Sequence, residues 1–293
     1  MAESPRSGHL LRSLNLPPGT SQYRYQGIKH ASQLISLATR HLIEQGHGWT
    51  ESNKSQFILF SCIPENIFCR EIRETDNSIL GKSWVCYHKN LEILVVKMTT
   101  TVHEEVDQRF DTLMGTKTMQ MNVYHRLHFA GRKEVQGSSK AKRPDTSYRP
   151  MDLPDGRMPN WPSMVVEAGY SESKSKLEAD AKWWLNESNG EVKTALAVSI
   201  KKTKKEITIQ RWELVAGPTR ADPDRTGPDV VQQLVISKRV DQPGATVTNA
   251  PLTVPFENVL LRLPQGREGD IEFTANELAI MAEAVWTAQE EKS

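Results

Sequence analysis

Cysteine is scarce in this 293-residue sequence. The three cysteines, Cys62, Cys69 and Cys86, are odd in number and form no CxxC pair, so free buried thiols are expected rather than a disulfide framework. The sequence also has no HExxH motif and no cluster of cysteine and histidine. A structural zinc site is therefore not expected.

Long apolar runs are missing as well. No stretch approaches the roughly 20 apolar residues that cross a bilayer, and the N-terminal MAESPRSGHLLRSLNLPPG lacks the apolar core of a secretory signal. A soluble intracellular protein, cytoplasmic or nuclear and without a membrane partner, is the expectation. An excess of one charge is absent too, with 37 Lys and Arg against 36 Asp and Glu, so only local clusters can indicate a nucleic-acid partner.

The apolar residues that are present make up 38% of the chain, which is enough for a core. Residues 1–20, rich in Ser, Pro and Gly, predict a flexible tail, and residues 21–290 predict a single α/β domain with one mixed central sheet flanked by helices. The segment 129–162, dense in Gly, Pro, Ser and charge, predicts a long loop. Helical patterns fall at 28–45, 99–115, 173–190 and 274–290, and strand patterns fall at 56–63, 83–98, 163–170, 192–200 and 206–215.

The stretch WPSMVVEAGYSES, residues 161–173, is a short apolar strand pattern with one carboxylate, Glu167, in its middle. A buried carboxylate is costly unless it is paired, hydrogen-bonded or bound to a metal. One interpretation is a strand-edge acid that pairs with a nearby Lys or Arg. The other is a functional acid, because perturbed carboxylates are frequent at functional sites.

Three segments carry a family resemblance: KRPDTSYRP, WPSMVVEAGYSES and LEADAKWWLNESNGEVKTALAVSI. Their order resembles the core of the PD-(D/E)XK, or restriction-endonuclease-like, nuclease superfamily, and they also look like a group of uncharacterised fungal proteins. The resemblance covers roughly residues 56–290, with a core at about 84–215 and elaborations at both ends. It implies metal-dependent hydrolysis of phosphodiester bonds in nucleic acid, DNA favoured, with Mg²⁺ or Mn²⁺ as the cofactor.

The resemblance also implies roles for individual acids. Asp145 and Glu167 would hold the metal at the ends of adjacent strands, and Glu105 on the preceding helix would complete the ligand set. Two carboxylates brought together without a metal would repel each other, and an ion would explain their proximity. Asp155, in Pro154-Asp155-Gly156, is a second candidate for the aspartate, although a PDG triplet is also typical of a tight turn.

The superfamily lysine lies two residues after the second acid, and this chain has Gly169 there. Lys182 on the following helix and Lys193 at the start of the next strand are the candidates for a positive group that positions or activates the attacking water. The missing lysine also supports an alternative interpretation, in which a catalytically inactive nuclease-like fold serves as a binding or interaction module.

A basic segment, GRKEVQGSSKAKR, comes directly before Pro144-Asp145. Lysine and arginine side chains in such a run can contact the phosphates of nucleic acid, and a solvated flexible loop is the plainer interpretation. The residues predicted to bind nucleic acid, most plausibly DNA, are Arg132, Lys133, Lys140, Lys142 and Arg143.

Overall fold

The computed structural model describes residues 5–44, 55–75, 78–170, 174–218, 226–239 and 241–290. The chain forms two compact units where the sequence pattern predicts one domain. The first unit comprises Met1–Val102, Glu134–Arg143 and Gln289–Ser293, and the second comprises His103–Lys133 and Pro144–Ala288. Within the described ranges, no helix is both long enough and apolar enough to cross a membrane.

The first unit contains one sheet and several helices. They are α1 (Pro5–Ser13), β1 (Ser21–Arg24), α2 (Ile28–Glu44), β2 (Phe57–Ser61), α3 (Glu65–Ile67), a π-helix (Phe68–Arg73), α4 (Ile79–Ser83), β3 (Trp84–His88), a 3-10 turn (Lys89–Leu91), β4 (Ile93–Lys97), β6 (Val135–Gln136) and β7 (Lys140–Lys142). The strand order is β1-β2-β4-β3-β7-β6. Only the β1–β2 pairing among these is parallel.

The N-terminal segment differs from the predicted flexible tail. Three leucines of α1 and of the chain just after it are buried: Leu11, Leu14 and Leu16. They pack against Phe57 and Leu59 on one face of the sheet. These three leucines lie in HLLRSLNL. The residues around them are rich in Ser, Pro and Gly, so the composition of the whole segment predicts a flexible tail despite the leucines. The helix forms because it covers an apolar sheet face that would otherwise meet water.

The segment 129–162 also differs from its prediction as a long loop. It contains β6 and β7 and a further strand, Thr146–Pro150. Here β7 pairs with β3, with Tyr87 opposite Ala141. Strand pairing with distant parts of the chain gives these short, polar segments a structure that their local composition does not indicate.

The second unit carries the segments of the family resemblance. Its elements are α5 (Thr101–Gln120, which begins in the first unit), a 3-10 turn (Tyr124–Arg126), β5 (Leu127–Phe129), β8 (Thr146–Pro150), β9 (Met164–Tyr170), α6 (Lys174–Glu187), β10 (Thr194–Ile200), β11 (Glu206–Ala216), β12 (Thr226–Ser237), β13 (Thr246–Thr248), β14 (Leu252–Val254), α7 (Phe256–Leu260), β15 (Ile271–Phe273) and α8 (Ala275–Glu290).

The large sheet of this unit is mixed and has seven strands in the order β13-β12-β11-β10-β9-β8-β5. Strands β9 and β10 are parallel and are joined through α6, and the other neighbours are antiparallel. A helix that connects two parallel neighbours runs antiparallel to both and packs on one sheet face. The predicted mixed α/β sheet with flanking helices is confirmed.

Several predicted boundaries in this unit are confirmed. Helix α6 ends at Glu187, and Asn189 and Gly190 follow with φ angles of 49° and 78°, as expected for a helix stop. At the start of α8, the Glu277 main-chain N–H donates to Thr274 Oγ1 at 3.3 Å and the Thr274 N–H donates to Glu277 Oε2 at 2.9 Å. This reciprocal pair is the predicted capping box.

Candidate metal and catalytic site

Asp145 and Glu167 lie on neighbouring strands of the second unit. Thr146 pairs with Val166, so Asp145, directly before β8, comes level with Glu167 on β9. The two side chains are 5% and 6% exposed. The Ala168 main-chain N–H donates to Asp145 Oδ2 at 2.8 Å, which fixes the Asp145 carboxylate against the strand that carries Glu167.

The start of β8 is held from the α5 side of the sheet. Tyr148 donates its hydroxyl to Asp111 Oδ1 at 2.8 Å, and Thr146 Oγ1 donates to the same oxygen at 3.3 Å. Burial of Tyr148, together with the neighbouring Asp111 charge, raises the pKa of its phenol well above the usual value. Tyr148 therefore stays a neutral donor, and the strand that follows Asp145 is anchored to α5.

Glu167 faces α6. Successive residues of a strand point to opposite faces, and Trp184 on α6 donates its indole Nε1–H to Glu167 Oε1 at 2.6 Å. Trp184 is fully buried. Its ring also packs edge-to-face on Trp183 at 4.9 Å and on Trp161 at 6.2 Å between ring centroids. The Glu167 carboxylate is thus oriented by a side chain that is itself fixed by packing.

Two further polar residues share the buried face of α6 with Trp184. Lys176 and Asp180 precede Trp184 at intervals of four residues, and all three are buried. Lys176 Nζ lies 2.6 Å from Asp180 Oδ2, and the two side chains are 7% and 9% exposed. We call Lys176, Asp180 and Trp184 the α6 polar stripe.

Lys176 and Asp180 were not predicted as site residues. Their spacing in the sequence gives a weak signal. Lys176 and Asp180 lie four residues apart, and each directly precedes an apolar residue of the helix, Leu177 or Ala181. The pattern therefore allows a buried ion pair as well as a solvated one. Their burial on the face of α6 is visible only in the structure.

The two predicted lysines lie elsewhere in the second unit. Lys182 is exposed, and its Nζ lies 5.3 Å from the centroid of the Trp212 ring. Lys193 precedes β10, four residues from Ala197, which pairs with Glu167. Four residues of strand span about 13 Å. Lys193 therefore does not lie level with Glu167, and Lys182 lies at the surface beside Trp212.

Glu105 and Asp155 are seen in other contacts. Glu105 accepts from Arg109 Nε at 2.6 Å within α5. Asp155 is exposed and lines a cleft of about 680 Å³ together with Lys193, Arg157 and Glu191. Among the described residues, no group of three or more His, Cys, Asp or Glu side chains could hold a metal ion.

The residues predicted to bind nucleic acid differ in exposure. Lys133 is exposed, and Arg132 and Lys140 are half-buried. Lys142 is only 1% exposed on β7, which does not fit a contact to a phosphate at the surface. Arg143 lies over the Trp84 ring, with its guanidinium carbon 4.0 Å from the centroid, and donates to the Gly81 carbonyl oxygen at 2.6 Å.

The donor chemistry of Asp145 and Glu167 fits a hard divalent cation. Mg²⁺ binds carboxylate oxygens and keeps several waters, so one or two protein carboxylates are enough. The N–H donors described above orient both acids.

No family model matches the chain, and no curated protein is significantly similar to it. Among solved structures, the chain is similar to the crystal structure of "a putative nuclease belonging to DUF820" from Anabaena variabilis. The two are 10% identical, the match covers 64% of this chain and 87% of the other, and the TM-score is 0.35.

Proposed function

We propose that the second unit is a metal-dependent nuclease that hydrolyses phosphodiester bonds of nucleic acid, with DNA the favoured substrate. Asp145 and Glu167 would hold Mg²⁺ or Mn²⁺. The ion would neutralise charge on the phosphate and make a water more nucleophilic at neutral pH. The observation that carries the proposal is the hydrogen bond from the Ala168 N–H to Asp145 Oδ2, because it holds one buried carboxylate beside the strand of the other.

The protein would contribute mainly by preorganisation. Ala168 holds Asp145 through the rigid main chain of a central strand, and Trp184 holds Glu167 from the covering helix. Groups fixed before the substrate arrives need no reorganisation during the reaction, which is a large part of enzymatic rate enhancement. A site built on strands and helices also keeps its geometry better than one built on loops.

Lys176 is the candidate on α6 for the positive charge of the proposed site. Unlike Lys182, it is buried on the helix face that covers β9, and Asp180 fixes its ammonium at 2.6 Å. In a βαβ unit the start of α6 lies near the end of β9, the end toward which Gly169 follows Glu167. Lys176 would then supply the charge that the glycine does not.

A cleavage assay with the full chain tests the proposal. Plasmid DNA, single-stranded DNA and RNA are incubated with Mg²⁺ or Mn²⁺ and with wild type, Asp145→Asn, Glu167→Gln or Asp155→Asn. The proposal expects cleavage by wild type, a loss of at least a hundredfold in the first two variants, and wild-type rates for Asp155→Asn, the matched PD control. Absence of cleavage of all three substrates, or no effect of Glu167→Gln, contradicts it.

The second candidate function is a catalytically inactive binding module. It is favoured by Gly169 at the position of the superfamily lysine and by the Lys176 ammonium being paired with Asp180. In this case the fold would bind a partner without hydrolysing it. The discriminating result is a protein that binds nucleic acid but shows neither cleavage nor metal binding that depends on both Asp145 and Glu167.

A further inference from the structure

We propose that Trp184 is a positioning residue of the metal site, which sets the orientation of the Glu167 carboxylate. The inference rests on the proposed function and extends it to a residue on α6. Its starting point is the 2.6 Å hydrogen bond from the Trp184 indole Nε1–H to Glu167 Oε1, between two buried side chains.

The sheet around Glu167 explains why the orienting group comes from α6. On β10 the residue paired with Glu167 is Ala197, whose methyl group can neither donate a hydrogen bond nor pack along the carboxylate. Helix α6 packs against both β9 and β10. Trp184 on this helix brings a single N–H donor in a fixed direction.

Burial of an indole does not by itself produce such a bond in this protein. Within the described ranges, the buried Nε1 atoms of Trp212 and Trp286 have no hydrogen-bond partner. The short bond at Trp184 is therefore a specific feature of the Glu167 side chain and not a general requirement of the tryptophans in this fold.

The ring of Trp184 is also restrained against rotation. Its T-shaped contacts with Trp183 and Trp161 have interplanar angles of 74° and 87°. Loss of an outer partner that orients a ligand side chain typically lowers metal affinity 10- to 100-fold. Trp184 then acts on the ion through Glu167, without touching it.

The test measures Mn²⁺ binding to the full chain by isothermal titration calorimetry. Trp184→Phe removes the N–H donor, and Trp286→Phe is the matched control on a buried tryptophan whose Nε1 donates no hydrogen bond. We expect a dissociation constant at least tenfold higher for Trp184→Phe and within about twofold of wild type for Trp286→Phe. Circular dichroism establishes that both variants are folded.

A second substitution covers the case in which Trp184→Phe does not fold. Trp184→benzothienylalanine replaces the N–H by sulfur at nearly constant shape, and Trp286→benzothienylalanine is its control. The same difference in Mn²⁺ affinity is expected. Unchanged affinity at position 184, or an equal loss at positions 184 and 286, overturns the inference.

Failure of this inference can be distinguished from failure of the proposed function. If wild type binds Mn²⁺ and Glu167→Gln abolishes binding while the Trp184 variants bind normally, only the role of Trp184 is wrong. If wild type binds no Mn²⁺, or if Glu167→Gln binds as wild type does, both the metal site and the positioning role are overturned.

Discussion

The Ala168 main-chain N–H lies 2.8 Å from Asp145 Oδ2, one residue after Glu167 along the same strand. This contact ties the two acids together through the backbone, so any movement of Asp145 would break a hydrogen bond inside the sheet. With the indole of Trp184 on Glu167, each acid is oriented by a separate donor. Such double fixation is expected of a preformed ligand pair.

Substitution of Lys176 should affect both stability and activity. Lys176→Met leaves Asp180 buried without its ammonium, and we expect a loss of roughly 3–5 kcal/mol in the free energy of unfolding. Urea denaturation measures it. Lys174→Met is the matched control, because Lys174 pairs with Glu178 at the same spacing but is 63% exposed, and a change below about 0.5 kcal/mol is expected.

The activity of the same two variants separates structure from catalysis. Cleavage is measured at a temperature where both are folded. If Lys176 supplies the positive charge, Lys176→Met slows cleavage at least tenfold and Lys174→Met leaves it unchanged. Normal cleavage by folded Lys176→Met would assign Lys176 a purely structural role.

The capping box of α8 makes stability depend on pH. Partial burial raises the pKa of Glu277, but the hydrogen bonds from Lys117 and Thr274 lower it by more. The pKa of Glu277 therefore lies below the usual 4.5. A lowered folded pKa contributes stability that is present above the unfolded pKa and lost as pH falls through the folded one. Glu277→Gln should therefore cost about 1 kcal/mol at pH 7.

Chemical denaturation from pH 7 to pH 3 measures this dependence. The stability difference between wild type and Glu277→Gln should shrink as the pH falls through the lowered pKa. Glu272→Gln is the control, because Glu272 is exposed on the neighbouring strand β15. A difference that stays constant or grows at low pH would argue against the contribution of the ionised Glu277.

Nucleic-acid binding through the basic segment predicts a salt effect. Lys133 is the exposed basic residue of that segment. Lys133→Ala should therefore weaken DNA binding regardless of the DNA sequence. It should also reduce the slope of log K against log salt concentration by about 1. Fluorescence anisotropy across a salt series measures it. Lys204→Ala, in the exposed turn after β10, is the control, and an equal effect of both variants would contradict a role for the segment.

The sequence was sufficient where the signal is local. The apolar run at residues 161–173 with one acid predicts β9. The apolar spacing of Leu177, Ala181 and Leu185, followed by Asn189-Gly190, predicts the extent of α6. The Thr274 and Glu277 pair predicts the cap of α8. Each of these patterns is set by the period of one element or by residues within one turn. The resemblance then supplied Asp145 and Glu167 as a pair.

The remaining features depend on contacts between distant residues. The leucines near the N-terminus become core only because a sheet face lies beneath them, and Lys142 is buried because β7 pairs with β3. The Trp184 hydrogen bond requires the position of α6 over β9, which no local pattern specifies. The helical spacing of Leu177, Ala181 and Trp184 predicts that Trp184 is buried, but it gives no indication of Glu167 as its partner.

Calorimetric titration of the full chain with Mn²⁺ tests the proposed metal site most directly. The titration compares wild type, Asp145→Asn, Glu167→Gln and the exposed control Asp155→Asn. We expect saturable binding to wild type and to Asp155→Asn, and loss of that binding in each of the other two variants. Binding that survives both Asp145→Asn and Glu167→Gln, or its absence in wild type, would contradict a metal site formed by these two acids.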